Sequence, residues 1–215
     1  MTTAQSRALT TLLSRYEVPL SPAPESWSER FGRGAPLLLE IGFGMGHALL
    51  AAARRHPDWN CVGVEVYRPG IGALLNGLVE GQIENVRIVQ GDARNVLANM
   101  VAENTLHRMI VYFPDPWPKS KHHKRRLINA EFASLAASRL THGGELRVAT
   151  DWQHYAEAML AVLDAEPGLV NVAGRGQFAA RDDERPTTRF EARGVRLGHA
   201  VWDLAYRRCD ITETR

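Results

Sequence analysis

The chain has 215 residues, 45% of them hydrophobic and 23% charged, with a formal net charge of +2, which predicts one soluble domain and excludes a wholly basic, histone-like binder. A chain of this length buries a full core, and Cys61 and Cys209 form no C-x-x-C pair, so neither a disulfide framework nor a structural metal is expected. No apolar run is long enough for a membrane helix and the N-terminus lacks the apolar stretch of a signal peptide, so we expect a cytoplasmic protein.

Residues 1–36 are predicted to form a short N-terminal helix and a loop rich in proline and glycine, followed by one domain over 37–215. The predicted strands of that domain are 37–41, 61–66, 86–90, 109–113 and 145–149, with strand-like pieces at 169–172 and 200–207. The predicted helices are 47–55, 70–80, 93–102, 127–140 and a segment around 155–163. This alternation is typical of an α/β protein with a parallel sheet between two layers of helices, in which ligands bind beyond the carboxyl ends of the strands.

A glycine-rich turn follows the first predicted strand, with the sequence Glu40-Ile-Gly42-Phe-Gly44-Met-Gly46. Glycines allow positive φ and let the backbone approach a ligand closely. The spacing G-x-G-x-G departs from the G-x-G-x-x-G of dinucleotide sites, and Glu40 would repel a pyrophosphate. A carboxylate at this point suits a ligand with a cationic end, such as the amino group and sulfonium of S-adenosylmethionine.

Two further carboxylates follow the next two predicted strands. Glu65 lies where an acid binds ribose hydroxyls in nucleotide-binding sheets, and Asp92 lies where a carboxylate or its neighbouring backbone can contact the adenine amino group. Each acid taken singly is equally well explained as a helix N-cap. Three acids at successive strand ends, with no lysine in the glycine-rich turn, favour a methyl donor over a phosphate-rich cofactor.

The fourth predicted strand runs into a turn with the sequence Pro114-Asp115-Pro116-Trp117, in which prolines on both sides of Asp115 hold its carboxylate at the strand end. Trp117 offers a flat face to an unstacked base. The basic segment, Lys119–Arg126, comes next and contains five permanent cations and no acid. Such a run is often only a solvated loop, but its place beside the predicted site favours contacts with RNA phosphates. Its adjacent histidines lack the spacing of a zinc pair, so no metal is predicted.

Two carboxylates farther along the chain are suited to guanine. Asp151 follows the fifth predicted strand, and Glu191 lies in a downstream loop. Together they can accept hydrogen bonds from the N1–H and the exocyclic amine of guanine, two adjacent donors that adenine and uracil do not present. For Glu191, a surface salt bridge with an arginine is an equally good interpretation.

The motifs EIGFGMG, GDA, FPDPWPKSKHHKRR, ATDW and RPTTRFEARGVRLGHAVWDL occur together between residues 38 and 208. In this combination the chain resembles the bacterial tRNA (guanine-N7-)-methyltransferase family. The resemblance implies a Rossmann-like class I methyltransferase fold with a mostly parallel seven-stranded sheet. It also implies transfer of the methyl group of S-adenosylmethionine to N7 of a guanine in the variable loop of tRNA. We expect a monomer or homodimer that needs neither membrane nor metal.

The same resemblance assigns roles to individual positions. Glu40, Glu65, Asp92 and Asp115 match cofactor-binding positions, and Asp115 also matches the catalytic residue. The turn adds Gly42, Gly44 and Gly46, whose backbone is predicted to bind the cofactor. The substrate-binding positions are Lys119, Asp151, Thr188, Arg189, Phe190 and Glu191, and the RNA contacts are Lys121, His122, His123, Lys124, Arg125 and Arg126. Arg189 stands where the family commonly has lysine, which keeps the charge and changes the geometry. The N-terminal arm is shorter than in many members, which would weaken RNA binding.

Three other functions fit parts of the sequence. An RNA-binding protein of this fold with weak or no activity on tRNA would not bind S-adenosylmethionine, or would bind it without turnover. A methyltransferase that acts on another RNA or on a small molecule is the second alternative, and the basic segment argues against a small-molecule substrate. A nicotinamide-dependent oxidoreductase would need the third-glycine spacing that Gly42–Gly46 lacks.

Overall fold

The structure is a computed structural model that describes residues 1–187 and 200–210. By its internal contacts the chain forms two compact units. The first unit comprises Met1–Ala102 with Glu184–Pro186, and the second comprises Glu103–Asp183 with the chain from Thr187 onwards.

Three parallel strands form the centre of the first unit, in the order β3-β2-β1. They are β1 (Leu37–Ile41), β2 (Asn60–Glu65) and β3 (Val86–Gln90). All residues of β1 and β2 are buried, as expected of strands covered on both faces. In this register the three strands end together, so that the residues that follow β1, β2 and β3 share one edge of the sheet.

The helices of the first unit are α1 (Thr3–Thr11), α2 (Leu13–Tyr16), α3 (Trp27–Phe31), α4 (His47–Arg55), α5 (Arg68–Glu80) and α6 (Ala93–Asn95), and α6 continues as a π-helical turn at Val96–Met100. Helices α4 and α5 pack on β2, and α1 packs on α5. The prediction that a loop fills the segment between the N-terminal helix and residue 36 was wrong, because α3 lies within it. The neighbouring prolines indicate a loop in the sequence, but one helical turn forms there and is anchored by the buried side chain of Trp27.

The second unit contains β4 (Leu106–Tyr112), β5 (Leu140–Thr150), β6 (Leu169–Asn171) and β7 (Trp202–Arg208), in the order β4-β5-β7-β6. Strands β4 and β5 are parallel, whereas β7 is antiparallel to both of its neighbours. Helices α7 (Ala130–Arg139) and α8 (Gln153–Asp164) pack on β5. A short 3₁₀ helix covers Ser120–Arg125.

Most predicted strands and helices are confirmed, and the differences lie at their ends. Strands β1 and β3 have the predicted bounds, whereas β4 and β5 begin several residues earlier. Helix α7 begins later than its apolar spacing predicted, because the Asn129 side chain caps it by accepting a hydrogen bond from the Phe132 N–H at 3.0 Å. Within the described residues, no helix is both long and apolar enough to cross a membrane.

Candidate functional site

The glycine-rich turn after β1 uses glycine for its backbone conformation. Gly42, Gly44 and Gly46 have φ values of 69°, 53° and 81°, in the left-handed region that L side chains rarely adopt. A Cβ atom at Gly42 or Gly44 would meet nothing within 4 Å, whereas one at Gly46 would lie 2.8 Å from the Leu74 side chain. The first two glycines therefore border open space, which leaves bare backbone for a ligand to approach.

Glu65, at the end of β2, holds the glycine-rich turn in place. Its Oε2 accepts a hydrogen bond from the Gly44 N–H at 2.8 Å. Its Oε1 accepts from the Val66 and Tyr67 N–H groups at 2.7 and 2.9 Å. The sequence predicted a ribose contact for this residue, and the structure adds that the carboxylate ties the turn after β1 to the start of α5.

Glu40 is a charged residue at a fully buried position of β1, with only 3% of its surface exposed. Its Oε2 has no hydrogen-bond partner among the described residues. Burial, reinforced by the nearby charge of Glu65, raises the pKa of Glu40 to about 8. A buried carboxylate without a partner is costly, and a cationic group beside Oε2 would favour its ionised form. The buried carboxyl group of Glu40 therefore fits the cationic amino and sulfonium end of S-adenosylmethionine.

Asp92 has the geometry of a helix N-cap. Its Oδ1 accepts hydrogen bonds from the N–H groups of Arg94 and Asn95 at 3.0 and 3.1 Å, at the start of α6. The preceding residue connects it to the rest of this edge, because the Gly91 N–H donates to the Glu65 carbonyl at 3.2 Å. Asp92 is exposed, and its contact with adenine stays a prediction.

A cavity of about 460 Å³ lies elsewhere in the first unit and is lined in part by Arg33, Pro57 and Asn85. These residues precede β1, β2 and β3, so the cavity is at the amino ends of the strands, opposite the glycine-rich turn. Ligands in α/β sheets bind at the carboxyl ends. The glycine-rich turn, at the carboxyl ends of the strands, therefore stays the predicted place of the cofactor.

In the second unit, the turn after β4 contains two non-glycine residues with positive φ, Phe113 at 53° and Trp117 at 44°. Such conformations cost about 1–2 kcal/mol for an L residue. The Phe113 N–H donates to the Ala149 carbonyl at 2.7 Å, which ties the start of the turn to the end of β5. Asp115, between these two residues, is exposed.

Four of the five cations in the basic segment are exposed: Lys119, Lys121, Lys124 and Arg125. The Arg125 guanidinium carbon lies 5.0 Å from the centroid of the Trp117 ring, a cation–π distance. The His122 ring meets Trp117 edge to face at 5.9 Å. One face of Trp117 is therefore covered by Arg125, and the predicted base stacking must use the other face or displace the arginine.

Arg126 differs from the other four cations, because only 5% of its surface is exposed. Its Nε donates to the Pro116 carbonyl at 2.9 Å, and its Nη2 lies 3.2 Å from His154 Nδ1. Its guanidinium stacks on the Tyr155 ring, with 4.6 Å from its carbon to the ring centroid. This burial argues against the predicted RNA contact at Arg126.

The remaining predicted substrate positions are described only in part. Asp151 is half-buried directly after β5, where the buried Thr150 hydroxyl accepts a hydrogen bond from the Trp152 N–H at 3.2 Å. Thr188, Arg189, Phe190 and Glu191 lie outside the described residues. Just before them, Glu184 Oε2 lies 3.1 Å from His56 Nε2 in the first unit.

Sequence reasoning missed His154 and Tyr155, which hold Arg126. The helical periodicity of α8 identified Tyr155 as a core residue, and no pattern connects it to a cation about thirty positions earlier. Among residues 1–187 and 200–210, no group of three or more histidines, cysteines or acids is arranged to hold a metal ion.

The model of a methyltransferase family, Methyltransf_4, matches residues 34–204 of this chain. The tRNA (guanine-N(7)-)-methyltransferase of Pseudomonas putida strain F1 is 49% identical over 210 residues, which are 98% of this chain and 88% of that protein. The chain belongs to the tRNA (guanine-N7-)-methyltransferase family. The enzyme of the same name from Pseudomonas fluorescens Pf-5 is 50% identical over 206 residues, 96% of this chain and 86% of that protein. Membership in this methyltransferase family confirms the expected enzyme class, the S-adenosylmethionine cofactor and the tRNA substrate.

Solved structures confirm the fold. The 16S rRNA methyltransferase KamB superposes with a TM-score of 0.62 at 13% identity, over 88% of this chain and 96% of that one. TrmN from Thermus thermophilus superposes with a TM-score of 0.57 at 14% identity, over 86% of this chain and 47% of that one. At these identities the likeness shows the fold alone, which is the mostly parallel, class I methyltransferase fold that the sequence predicted.

Proposed function

We propose that this family member methylates N7 of a guanine in the variable loop of tRNA, with the cofactor bound by the first unit and the RNA by the second. The observation that carries the proposal is the unpartnered, buried Oε2 of Glu40 next to the glycine-rich turn. The catalytic domain is 37–215, preceded by the helical segment 1–36, and we expect a cytoplasmic monomer or homodimer that needs no metal.

The geometry of the first unit supports the following cofactor-binding roles. Glu40 pairs with the cationic end of S-adenosylmethionine, and the backbone around Gly42 and Gly44 lies against it. Glu65 has free lone pairs for ribose hydroxyls even while it holds the turn. Asp92 and its backbone contact the adenine. When bound, the cofactor supplies an electrophilic methyl group.

The reaction needs alignment more than proton transfer. N7 of guanine has a lone pair and no proton at neutral pH, so no general base is required. The N7–carbon bond forms as the carbon–sulfur bond breaks, the sulfur keeps the electron pair, and the purine becomes cationic. The Asp115 carboxylate, fixed between two prolines, orients the base and stabilises this developing positive charge.

We assign the RNA-binding roles to the second unit. The exposed cations Lys119, Lys121, Lys124 and Arg125 bind phosphates, with His122 and His123 beside them. Asp151 and the residues Thr188–Glu191 read the edge of the guanine. Taking that base out of its stack costs a few kcal/mol, which a flexible variable loop reduces.

The test is incubation of the protein with methyl-labelled S-adenosylmethionine and tRNA transcripts, followed by chemical cleavage at the methylated base. We expect one labelled site, at N7 of a variable-loop guanine, and no label in a matched transcript with adenine at that position. Label at any other base would overturn the substrate assignment.

The role of Asp115 is tested separately by single-turnover methyl transfer with Asp115→Asn. We expect the rate to fall by about thirtyfold to a hundredfold, because the variant keeps the shape and loses the charge. An unchanged rate would contradict this role.

A further inference from the structure

The basic segment contains one cation that its sequence does not distinguish from the others. Arg126 is buried, whereas Lys119, Lys121, Lys124 and Arg125 are exposed. A phosphate contact requires a guanidinium that RNA can reach, and a buried one does not meet that requirement. The role of Arg126 must therefore be inferred from the contacts that it makes within the protein.

Those contacts lie within the second unit and converge on the turn that carries Asp115. The Arg126 Nε donates to the carbonyl of Pro116, the residue directly after Asp115, at 2.9 Å. The other side of the guanidinium is fixed by the Tyr155 ring and by His154 Nδ1. Tyr155 is itself held, because its hydroxyl accepts a hydrogen bond from the Ile128 N–H at 3.0 Å.

The turn needs such an anchor. Phe113 and Trp117, which flank Asp115, both adopt positive φ. Backbone of this kind persists only where surrounding contacts fix it. The Phe113 N–H bond to the Ala149 carbonyl fixes the first end of the turn, and the Arg126 bond to the Pro116 carbonyl fixes its middle.

We propose that Arg126 is a positioning residue for methyl transfer: its guanidinium holds the Pro116 carbonyl and thereby sets the place of the Asp115 carboxylate. This inference rests on the proposed function, in which Asp115 stabilises the methylated base. It assigns to Arg126 a role in the rate of the chemical step, in contrast to the RNA-binding role of its neighbour Arg125.

The first experiment compares Arg126→Met with the matched variant Arg125→Met in steady-state tRNA methylation at several salt concentrations. For Arg126→Met we expect kcat to fall by about tenfold to a hundredfold, because small misplacements of a reacting group have effects of this size. The slope of log KM for tRNA against log salt should stay that of the wild type. For Arg125→Met we expect a higher KM and a slope that is smaller by about 1, the mark of one lost phosphate contact.

The second experiment distinguishes positioning from a general loss of structure by a double-mutant cycle in the single-turnover rate. If Arg126 acts through Asp115, then Arg126→Met should cost less than about twofold in the Asp115→Asn background, although it costs tenfold or more in the wild type. Arg126→Lys, which keeps the charge and a single donor group, should recover part of the rate. Hydrogen exchange of the backbone amides in 113–119 should be faster in Arg126→Met and close to that of the wild type in Arg126→Lys.

Two results would overturn the inference. One is additive losses in the cycle, and the other is an Arg126→Met variant with normal kcat and a reduced salt slope. If Arg126→Met does not fold, the same two measurements on Arg126→Lys decide between the roles. A wild-type protein that methylates no tRNA would instead refute the proposed function, and the hydrogen exchange would then still test whether Arg126 anchors the turn.

Discussion

The acidic side chains at the glycine-rich turn of the first unit are buried, whereas most cations of the basic segment of the second unit are exposed. Glu40 and Glu65 are buried, and Glu65 is bonded to three backbone N–H groups. In the basic segment, four of five cations point into solvent. The fifth, Arg126, is buried and holds the backbone of the turn that precedes the segment.

This difference has consequences that can be measured. Burial raises the pKa of Glu40, and buried charges are screened little by salt, whereas exposed charges are screened strongly. The stability and cofactor affinity of the first unit should therefore depend on pH and on the addition or loss of a single atom. RNA binding by the basic segment should depend on ionic strength.

The largest effect is expected at Gly70 in α5. A Cβ atom at this position would lie 2.0 Å from the Gly44 carbonyl oxygen, so Gly70→Ala forces the glycine-rich turn to move. We expect the Kd for S-adenosylmethionine, measured by calorimetry, to rise by about a hundredfold, since overpacking of this kind costs about 1–3 kcal/mol. The matched control is Gly34→Ala, where a Cβ would meet nothing within 4 Å. Wild-type cofactor affinity in Gly70→Ala would show that the turn does not bind the cofactor.

A smaller effect, with a characteristic pH dependence, is expected for Glu40→Gln. The pKa of Glu40 is raised in the folded state from an ordinary 4.5 to about 8, so the folded protein holds a proton that the unfolded chain releases. The resulting stability is fully present below the unfolded pKa and is lost as pH rises through 8. Glutamine does not titrate, so Glu40→Gln does not lose stability in this pH range. The Tm of the variant should therefore exceed that of the wild type by roughly 5 °C at pH 9. Near pH 4 the two Tm values should be close, and a constant difference across pH would contradict the account.

The same variant should bind S-adenosylmethionine more weakly. Replacing the carboxylate removes a charge-assisted contact worth about 1.5–3 kcal/mol, which is a loss of about tenfold or more in affinity at pH 8. In the wild type, the affinity should weaken as pH falls below 8, because Glu40 must lose its proton to pair with the cationic ligand. Calorimetry at pH 6 and pH 8 checks both expectations.

Sequence reasoning predicted what depends on local pattern and missed what depends on packing between distant residues. The order of strands and helices and the glycine-rich turn follow from periodicity and spacing, and they are confirmed. The burial of Arg126 could not be predicted, because Lys119–Arg126 reads as uniformly basic and the difference comes from Tyr155 and His154 in α8. The bonds of Glu65 to the glycine-rich turn and to the start of α5 are likewise a property of the folded backbone.

The smallest effect per residue is expected in the exposed cations. Replacing Lys121 and Lys124 together by alanine should lower the slope of log KM for tRNA against log salt by about 2, since each lost phosphate contact removes roughly 0.9. For the wild type, four such contacts predict an affinity that falls about a hundredfold between about 50 and 200 mM salt. Arg55→Ala, an exposed cation of α4, is the control and should leave the slope unchanged. If the slope is the same in the double lysine variant and in the wild type, the basic segment is not part of the RNA interface.

The proposal depends on the first unit binding the cofactor without help from the basic segment. Calorimetric titration of S-adenosylmethionine into Glu40→Gln and into the double variant Lys121→Ala/Lys124→Ala tests it most directly. We expect a Kd that rises by about tenfold or more for Glu40→Gln and stays within about twofold of the wild type for the lysine pair. Equal losses in both variants, or no loss in Glu40→Gln, would contradict it.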